Sequence, residues 1–380
     1  MNKKTAACFF LIVFQAAQIC IAGEVLLKPS INSMLEFNNN ISFSRNNIKR
    51  DFILKAEPGL ELIYNSEKVH METDIKYNIY RYKDFSSLDS NYYALDFGSR
   101  FSLSERASLT ADFLIKNDES LESELAETGI ITELNDRRTG SLSVGFRYLI
   151  SESIDTNFKA SYSKVEYDSI SRVDYESNNI SMSISKKLNN RVDTIFVQQY
   201  YSDQRSSINE VDSFGLFTGW SHQFSETLSF SGYIGARRTK TDYFYYSEEN
   251  WGGLANISLK KTGVTWGSGI TLNRELKYSS SGAPVETDKL NLNFQKRIYD
   301  DLRYRVSGSI NKAKSSGYMT QRDTRYYSIS NSIEYSLNTD VIIIFAYSYS
   351  LYDDLMPVED RTVDRNIFRI HLRFDLPLLK

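Results

Sequence analysis

The stretch YYSISNSIEYSLN, residues 326–338, alternates with a period of two. Tyr327, Ile329, Ile333, Tyr335 and Leu337 fall on one side, interrupted only by Asn331. Tyr326, Ser328, Ser330, Ser332, Glu334, Ser336 and Asn338 fall on the other. Successive side chains of an extended chain point to opposite faces, so the segment reads as a long strand, oily on one face and hydroxyl-rich and charged on the other.

The pattern recurs along the chain. RTGSLSVGFRYLI (138–150) sets Leu142, Val144, Phe146, Tyr148 and Ile150 together. NISMSISKKL (179–188) sets Ile180, Met182, Ile184 and Leu188 against Ser181, Ser183, Ser185 and Lys187. TDKLNLNFQKRI (287–298) sets Leu290, Leu292, Phe294 and Ile298 against Asn291, Asn293, Gln295 and Arg297. NIFRIHLRFDL (366–376) sets Phe368, Ile370, Leu372, Phe374 and Leu376 against Arg369, His371, Arg373 and Asp375.

Tight turns are expected near Ser66, Glu105, Glu152, Asn189–Asn190, Ser225–Glu226, Lys261–Thr262, Asp300–Asp301 and Asn338–Thr339. Longer polar connections are expected around 46–50, 84–89, 119–136, 169–174, 205–210, 243–248, 278–284, 316–322 and 355–362. Eight turns and nine loops separate 18 strands, with 16 the next choice. Such a series fits an even-numbered, antiparallel up-and-down transmembrane β-barrel, short turns on the periplasmic side with both termini, and long loops outside. Lipid on one side and water on the other explains the alternation. Closure leaves no backbone group unpaired in the bilayer. Only five prolines occur, and none falls mid-run in a central hairpin, as ladder bonding requires. Soluble β-sandwiches also alternate, but with turn signals every 8–12 residues.

The remaining composition agrees. Mean hydropathy is −0.40, too polar for a helical membrane protein. The 26 tyrosines and 22 phenylalanines are too many for a disordered chain. Lys3 and Lys4 precede an apolar run from Ala6 to Ile21, followed by Ala22 and Gly23, which reads as a secretory signal peptide over 1–22. Residues 23–380 then form a single barrel domain. Cys8 and Cys20 both lie in the signal, so the mature chain has no disulfide. Without Lys3 and Lys4 the chain carries 43 basic and 48 acidic residues, which gives no reason to expect nucleic acid as a partner.

Inward polar candidates are Glu72, Asp74, Lys76, Asp112, Arg147, Lys187, Arg297, Arg305, Arg369, His371, Arg373 and Asp375. They suit a wet lumen, or a narrow bore plugged by salt-bridged side chains; 18 strands argue for an aqueous space. Tyr77, Tyr80, Tyr82, Tyr92, Tyr93, Tyr200, Tyr201, Tyr326, Tyr327, Tyr347, Tyr349 and Tyr352 lie near strand ends and read first as a membrane-interface girdle. Tyr243, Phe244, Tyr245 and Tyr246 are the candidates for a mouth that stacks on sugar rings. The loop 119–136, with Glu119, Glu122, Glu124 and Glu127, is the longest and most acidic. It either folds inward as a constriction or stays outside as a solvated loop, and its composition favours the second. His70, His222 and His371 are far apart and offer no metal-ligand spacing. No metal, cofactor or catalytic activity is expected.

LKPSINSMLEFNNNISF (27–43) and the segment 51–82 resemble the opening of outer-membrane β-barrel proteins found with exopolysaccharide systems, including those associated with exosortase. The matching positions are Pro29, Ser30 and Ile31; Phe37, Asn38, Asn39, Asn40 and Ile41; Asp51, Phe52 and Ile53; and Pro58, Gly59, Leu60 and Leu62. Beyond this opening only the generic hairpin repeat matches, and the chain ends DLPLLK rather than on the usual aromatic residue. The resemblance implies passage or anchoring of a polysaccharide at the outer membrane of a Gram-negative cell. Outer-membrane lipid, lipopolysaccharide, the barrel-assembly machinery, polysaccharide and periplasmic export components would be its partners. A polysaccharide-export pore is therefore the first expectation. A general diffusion porin for small solutes, or a structural barrel anchoring or sheathing a partner protein, are the alternatives.

Overall fold

The computed structural model describes residues 23–188, 192–315, 322–355 and 361–376. Residues 1–22, expected to be a signal peptide, and the expected turn at Asn189–Asn190 lie outside the described residues, as do most of the expected connections at 316–322 and 355–362.

The described residues form eighteen strands. The first six are β1 (Glu24–Asn38), β2 (Asp51–Asn65), β3 (Val69–Tyr82), β4 (Ser90–Ser102), β5 (Ala107–Glu119) and β6 (Asp136–Leu149). Then come β7 (Ile154–Tyr167), β8 (Tyr175–Lys187), β9 (Asp193–Ser206), β10 (Asn209–Ser225), β11 (Leu228–Tyr243) and β12 (Ser247–Thr262). The last six are β13 (Trp266–Tyr278), β14 (Pro284–Arg297), β15 (Leu302–Ser315), β16 (Arg322–Ser336), β17 (Val341–Asp354) and β18 (Arg361–Asp375). One α-helix, α1 (Ser120–Glu127), lies between β5 and β6. Each strand pairs antiparallel with its sequence neighbours, and β18 returns to β1 from Ser30↔Asp375 to Asn38↔Ile367, closing the sheet. Closure satisfies the ladder without a free edge.

Cross-strand partners share a face, so the register carries the facing of one strand round the whole ring. One set of positions holds exposed apolar side chains, among them Leu35, Leu54, Ile75, Ile180, Ile270 and Phe368. The opposite set meets α1, which lies inside. The opening stretch behaves as its alternation requires: Ile329, Ile333 and Tyr335 are exposed on the outer face. Its exception, Asn331, also points outward, where it accepts a hydrogen bond from the Tyr304 hydroxyl at 3.2 Å. Asn366, on the same face, accepts one from Tyr347 at 2.8 Å. A bonded amide costs far less in an apolar environment than a bare one.

Two groups of connections differ from expectation. The loops expected at 205–210 and 243–248 shrink to 207–208 and 244–246, because β9–β12 run on as paired ribbon. Charge alternation there reads as loop, yet it forms cross-strand ion pairs, Arg205 with Glu210 at 3.1 Å and Arg238 with Glu249 at 2.7 Å. The turns expected at Ser225–Glu226 and Lys261–Thr262 sit one to two residues later, at 226–227 and 263–265. The loop 119–136 is the larger correction.

Candidate functional site

The segment after β5 crosses the bore instead of standing outside it. The run SLESELAE is rich in helix formers and places Leu121 and Leu125 four residues apart on one face. Both are buried against Phe43 and Tyr352, with Ile131 and Leu134 packed around them. On the far wall Ile130 is buried with Val285 and Ala313. Burying three such side chains contributes roughly 1.5–3 kcal/mol each. The helix stops where the Thr128 hydroxyl donates back to the Glu124 carbonyl at 2.8 Å and Gly129 turns left-handed at φ 73°. The segment's base is tied by the Ser120 amide to the Asn135 carbonyl at 2.8 Å and the Ser120 hydroxyl to the Glu133 carbonyl at 2.8 Å.

Charged groups of the wall clamp this segment. Arg137 on β6, 2% exposed, donates twice to Glu127, at 3.1 and 2.5 Å, and lies 3.6 Å from Asp118 and 3.8 Å from Glu124. Arg365 on β18, equally buried, donates to Glu122 at 2.5 and 3.4 Å and sits 4.6 Å over the Phe43 ring. The Tyr167 hydroxyl on β7 donates to one Glu124 oxygen, and the Ser280 amide donates to the other at 3.3 Å. Lys289 on β14 donates to the Ala126 carbonyl at 3.1 Å, and Thr324 on β16 to the Gly129 carbonyl at 3.4 Å. Burial pushes the Glu122 carboxyl up, but the Arg365 guanidinium outweighs it and holds the group below its ordinary value. For Glu124 burial wins over the Tyr167 and Arg137 contacts, and its carboxyl is raised. The solvated-loop expectation is thus overturned. Every acid in the stretch was visible in the sequence, but Arg365, which receives Glu122, lies 243 residues away, and nothing local turns Arg137 back onto Glu127.

The twelve inward candidates all occupy the lumenal set of positions. Lys76 bonds Asp74, and Glu72 is on the same strand. Asp112 accepts from Ser143 at 2.9 Å, Arg147 reaches Asp155 at 3.2 Å, and Arg305 reaches Glu334 at 2.9 Å. Lys187 and Arg297 lie near the end with the short turns. Arg369 donates to Glu36 at 2.7 Å, Arg373 to Asp375 at 2.9 Å, and His371 stands between them on β18. Sequence reasoning missed Lys55, which completes the triad by donating to Glu36 at 3.0 Å, and missed Lys28 with Glu61, 3.4 Å apart. Extending the alternation through β1 and β2 would have found them. Arg137 and Arg365 share the alternation of Arg147 and Arg369, but only the fold pairs them with α1.

The girdle tyrosines divide by facing. Tyr77, Tyr93 and Tyr201 are exposed on the outer face. Tyr80, Tyr82 and Tyr92 turn inward and, with Lys55, Glu119 and Glu122, line a cavity of about 220 Å³ beside α1. Tyr352 is buried under α1, and Tyr326 is packed against the same cluster. Tyr200 on β9 also faces the bore, opposite Gly215. These six are therefore not girdle residues. At the tip of the β11–β12 hairpin Tyr243 stacks on Tyr246 at 4.6 Å, while Phe244 and Tyr245 stand 88% and 91% exposed.

The motif residues near the N-terminus act as latches. Asn40 donates to the carbonyls of Ser44 and Asp364 at 2.9 and 3.2 Å, and Asn39 accepts from the Asn366 amide at 2.7 Å. Asp51 accepts from the amides of Phe52, Asp84 and Phe85 at 2.7–3.1 Å. His70 pairs with Asn65 at 2.5 Å. His222 pairs with Asp193 at 2.6 Å on the outer face, beside Trp220, while neighbouring Ser221 donates to the Phe230 carbonyl. Among the described residues no cluster of three metal-ligating side chains occurs.

The architecture defines a closed 18-stranded antiparallel barrel with a polar bore crossed by its own third long connection. No protein-family model matches the chain, and no curated protein matches it. Solved structures share the fold. Pseudomonas aeruginosa OccK2 (OpdF) in complex with glucuronate aligns at TM-score 0.52 and 9% identity over 94% of this chain and 99% of that one. Pseudomonas aeruginosa OpdK with vanillate aligns at TM-score 0.51 and 8% identity over 93% and 99%. A BenF-like porin from Pseudomonas fluorescens Pf-5 aligns at TM-score 0.50 and 9% identity over 93% and 99%.

Proposed function

We propose that the chain is an outer-membrane channel through which small polar solutes diffuse passively, with α1 and residues 128–135 setting the passage. One observation carries this: a closed barrel whose bore is crossed by a short clamped segment rather than filled by its own wall side chains. Two neighbours of the same fold were solved with glucuronate and vanillate, which supports passage of small solutes. The short turns and termini face the periplasm and the long connections face outside, as in bacterial outer-membrane barrels. Export of a surface polysaccharide rests on the N-terminal resemblance alone. Diffusion of small solutes is therefore preferred to export.

The test is conductance of the refolded barrel in planar bilayers, beside a variant in which residues 121–133 are replaced by a short glycine–serine linker. Steady steps that enlarge in the linker variant support the proposal. Conductance blocked by long polysaccharide chains, without uptake of small solutes, would revive export. A folded barrel with no conductance in either form would leave an anchoring or sheathing barrel.

A further inference from the structure

The bore has two unlike walls, and the difference points to a solute class. On β18 and β1–β3 charges run through the middle heights: Arg369, Glu36 and Lys55, then Glu57, Asp74 and Lys76. Nine strands away, β10 is diametrically opposite β1. From β8 to β13, among the described residues, all but one of the charged inward positions lie near the ends of the strands: Lys187 and Lys260 at the turn end, Glu248, Glu275 and Lys277 at the loop end. The exception is Arg237, which shares a rung of the ladder with Gly215 and Tyr200. Between the two ends the rest of the wall is serine, threonine, asparagine, glutamine, glycine, Leu254 and four aromatic rings.

Those rings form one patch. Phe217 is 4.5 Å from Tyr233 and 6.4 Å from both Phe196 and Tyr200, centroid to centroid. All four face a glycine directly across the ladder: Phe196 and Tyr233 on either side of Gly219, Tyr200 opposite Gly215, Phe217 opposite Gly235. A Cβ at Gly215 would come within 2.1 Å of the Tyr200 ring, and one at Gly219 within 2.2 Å of Phe196. Each ring thus fills the space of a missing side chain and lies along the wall instead of standing into the bore. The nearest cation is committed elsewhere: Arg237 donates to Glu286 at 2.8 Å and to the Gly253 carbonyl at 3.3 Å. Beside the patch a recess of about 570 Å³ is lined by Ser258, Thr271, Asn293 and Gln295, with Lys260 and Arg305 also on its wall, the latter paired with Glu334 at 2.9 Å; it is within the size range of small-molecule sites.

We propose that this wall is a subsite for neutral ring polyols, that is mono- and oligosaccharides, which rests on the channel reading above. A pyranose ring presents polarised C–H bonds on its faces and hydroxyls at its edge. The negative faces of aromatic rings receive the first. Hydroxyl and amide side chains, each able to donate and accept, receive the second. An anion gains little from the rings, whose one neighbouring guanidinium, Arg237, is already paired, and would be drawn instead to Lys260 on the recess wall.

The probe is maltotriose, with gluconate as an anionic comparison. Saturation-transfer NMR on the folded barrel in micelles reads binding, and swelling of proteoliposomes reads passage. A maltotriose signal is expected, with maltotriose entering faster than its size predicts relative to gluconate. Phe217→Ala should weaken maltotriose binding at least tenfold. Gly215→Ala, which keeps every ring but displaces Tyr200, should also weaken it, separating ring placement from ring presence. Gluconate-selective swelling with no maltotriose signal overturns the subsite and leaves the channel standing. Loss of all swelling and current overturns the channel, and the micelle signal still decides the subsite.

Discussion

Arg137→Met is the sharpest test of the crossing segment. The guanidinium is 2% exposed and lies among three carboxylates, bonded to Glu127 and within 4 Å of Asp118 and Glu124. Methionine keeps much of the volume and none of the charge. Asp118 and Glu127, 24% and 40% exposed, can rehydrate, but Glu124 has no exposed surface. Removing one partner of a buried ion pair costs about 3–5 kcal/mol, and the two accessible carboxylates place this case near ~3 kcal/mol. The β6 ladder does not depend on the Arg137 side chain, so the cost falls on docking of α1. At about 1.4 kcal/mol per decade, the undocked population rises roughly 100-fold. In single-channel records, time in a larger-conductance state should lengthen by about that factor. Arg138→Met is the control: its pair with Asp168 at 2.9 Å is about half exposed on both sides, worth about 1 kcal/mol or less, and gating should not change. Equal occupancy of the larger state in Arg137→Met and the parent, with both barrels showing the same heat-modifiable mobility, would refute the clamp.

Acid should loosen the segment in a defined window. The Glu122 carboxyl is held below its ordinary 4.5, so its contribution is complete above that pH and is lost as pH falls further; Arg365→Gln should remove this acid-dependent opening when conductance is scanned from pH 6 to 3. Glu124 acts in the opposite sense. Its raised carboxyl makes docking less favourable as pH climbs past 4.5, so a Glu124→Gln channel should show a flatter pH profile above that value. Gly129→Ala places a Cβ at φ 73° and 2.6 Å from the Asn311 amide, which should cost about 1–3 kcal/mol and raise open-state noise without changing barrel thermal stability. On the lipid face, Tyr304→Phe leaves Asn331 without its donor and should cost about 1–3 kcal/mol in urea unfolding from vesicles, whereas Tyr304→Phe with Asn331→Leu should be nearly neutral. A double variant as unstable as the single one would show that the bond is not what holds the pair.

The sequence by itself determined the barrel. Alternation as in 326–338 can satisfy only two unlike solvents on two faces, and its spacing by turns sets the strand count and the facing of Arg369, His371, Arg373 and Asp375. Local chemistry also announced the acidic character of 119–136, though not its helix. What only the tertiary structure decided was where that segment goes and what the bore presents. Leu121, Leu125 and Ile130 look unremarkable in a polar loop until Phe43, Tyr352, Val285 and Ala313 bury them. Glu122 and Glu127 look solvated until Arg365 and Arg137 arrive from other strands. The aromatic patch was equally hidden, since Phe196, Tyr200, Phe217 and Tyr233 come from three strands and lie flat only because glycines 215, 219 and 235 stand opposite them. Facing is a property of one strand and is written locally. Partnership across a closed ring depends on register and closure, which no single stretch of sequence contains.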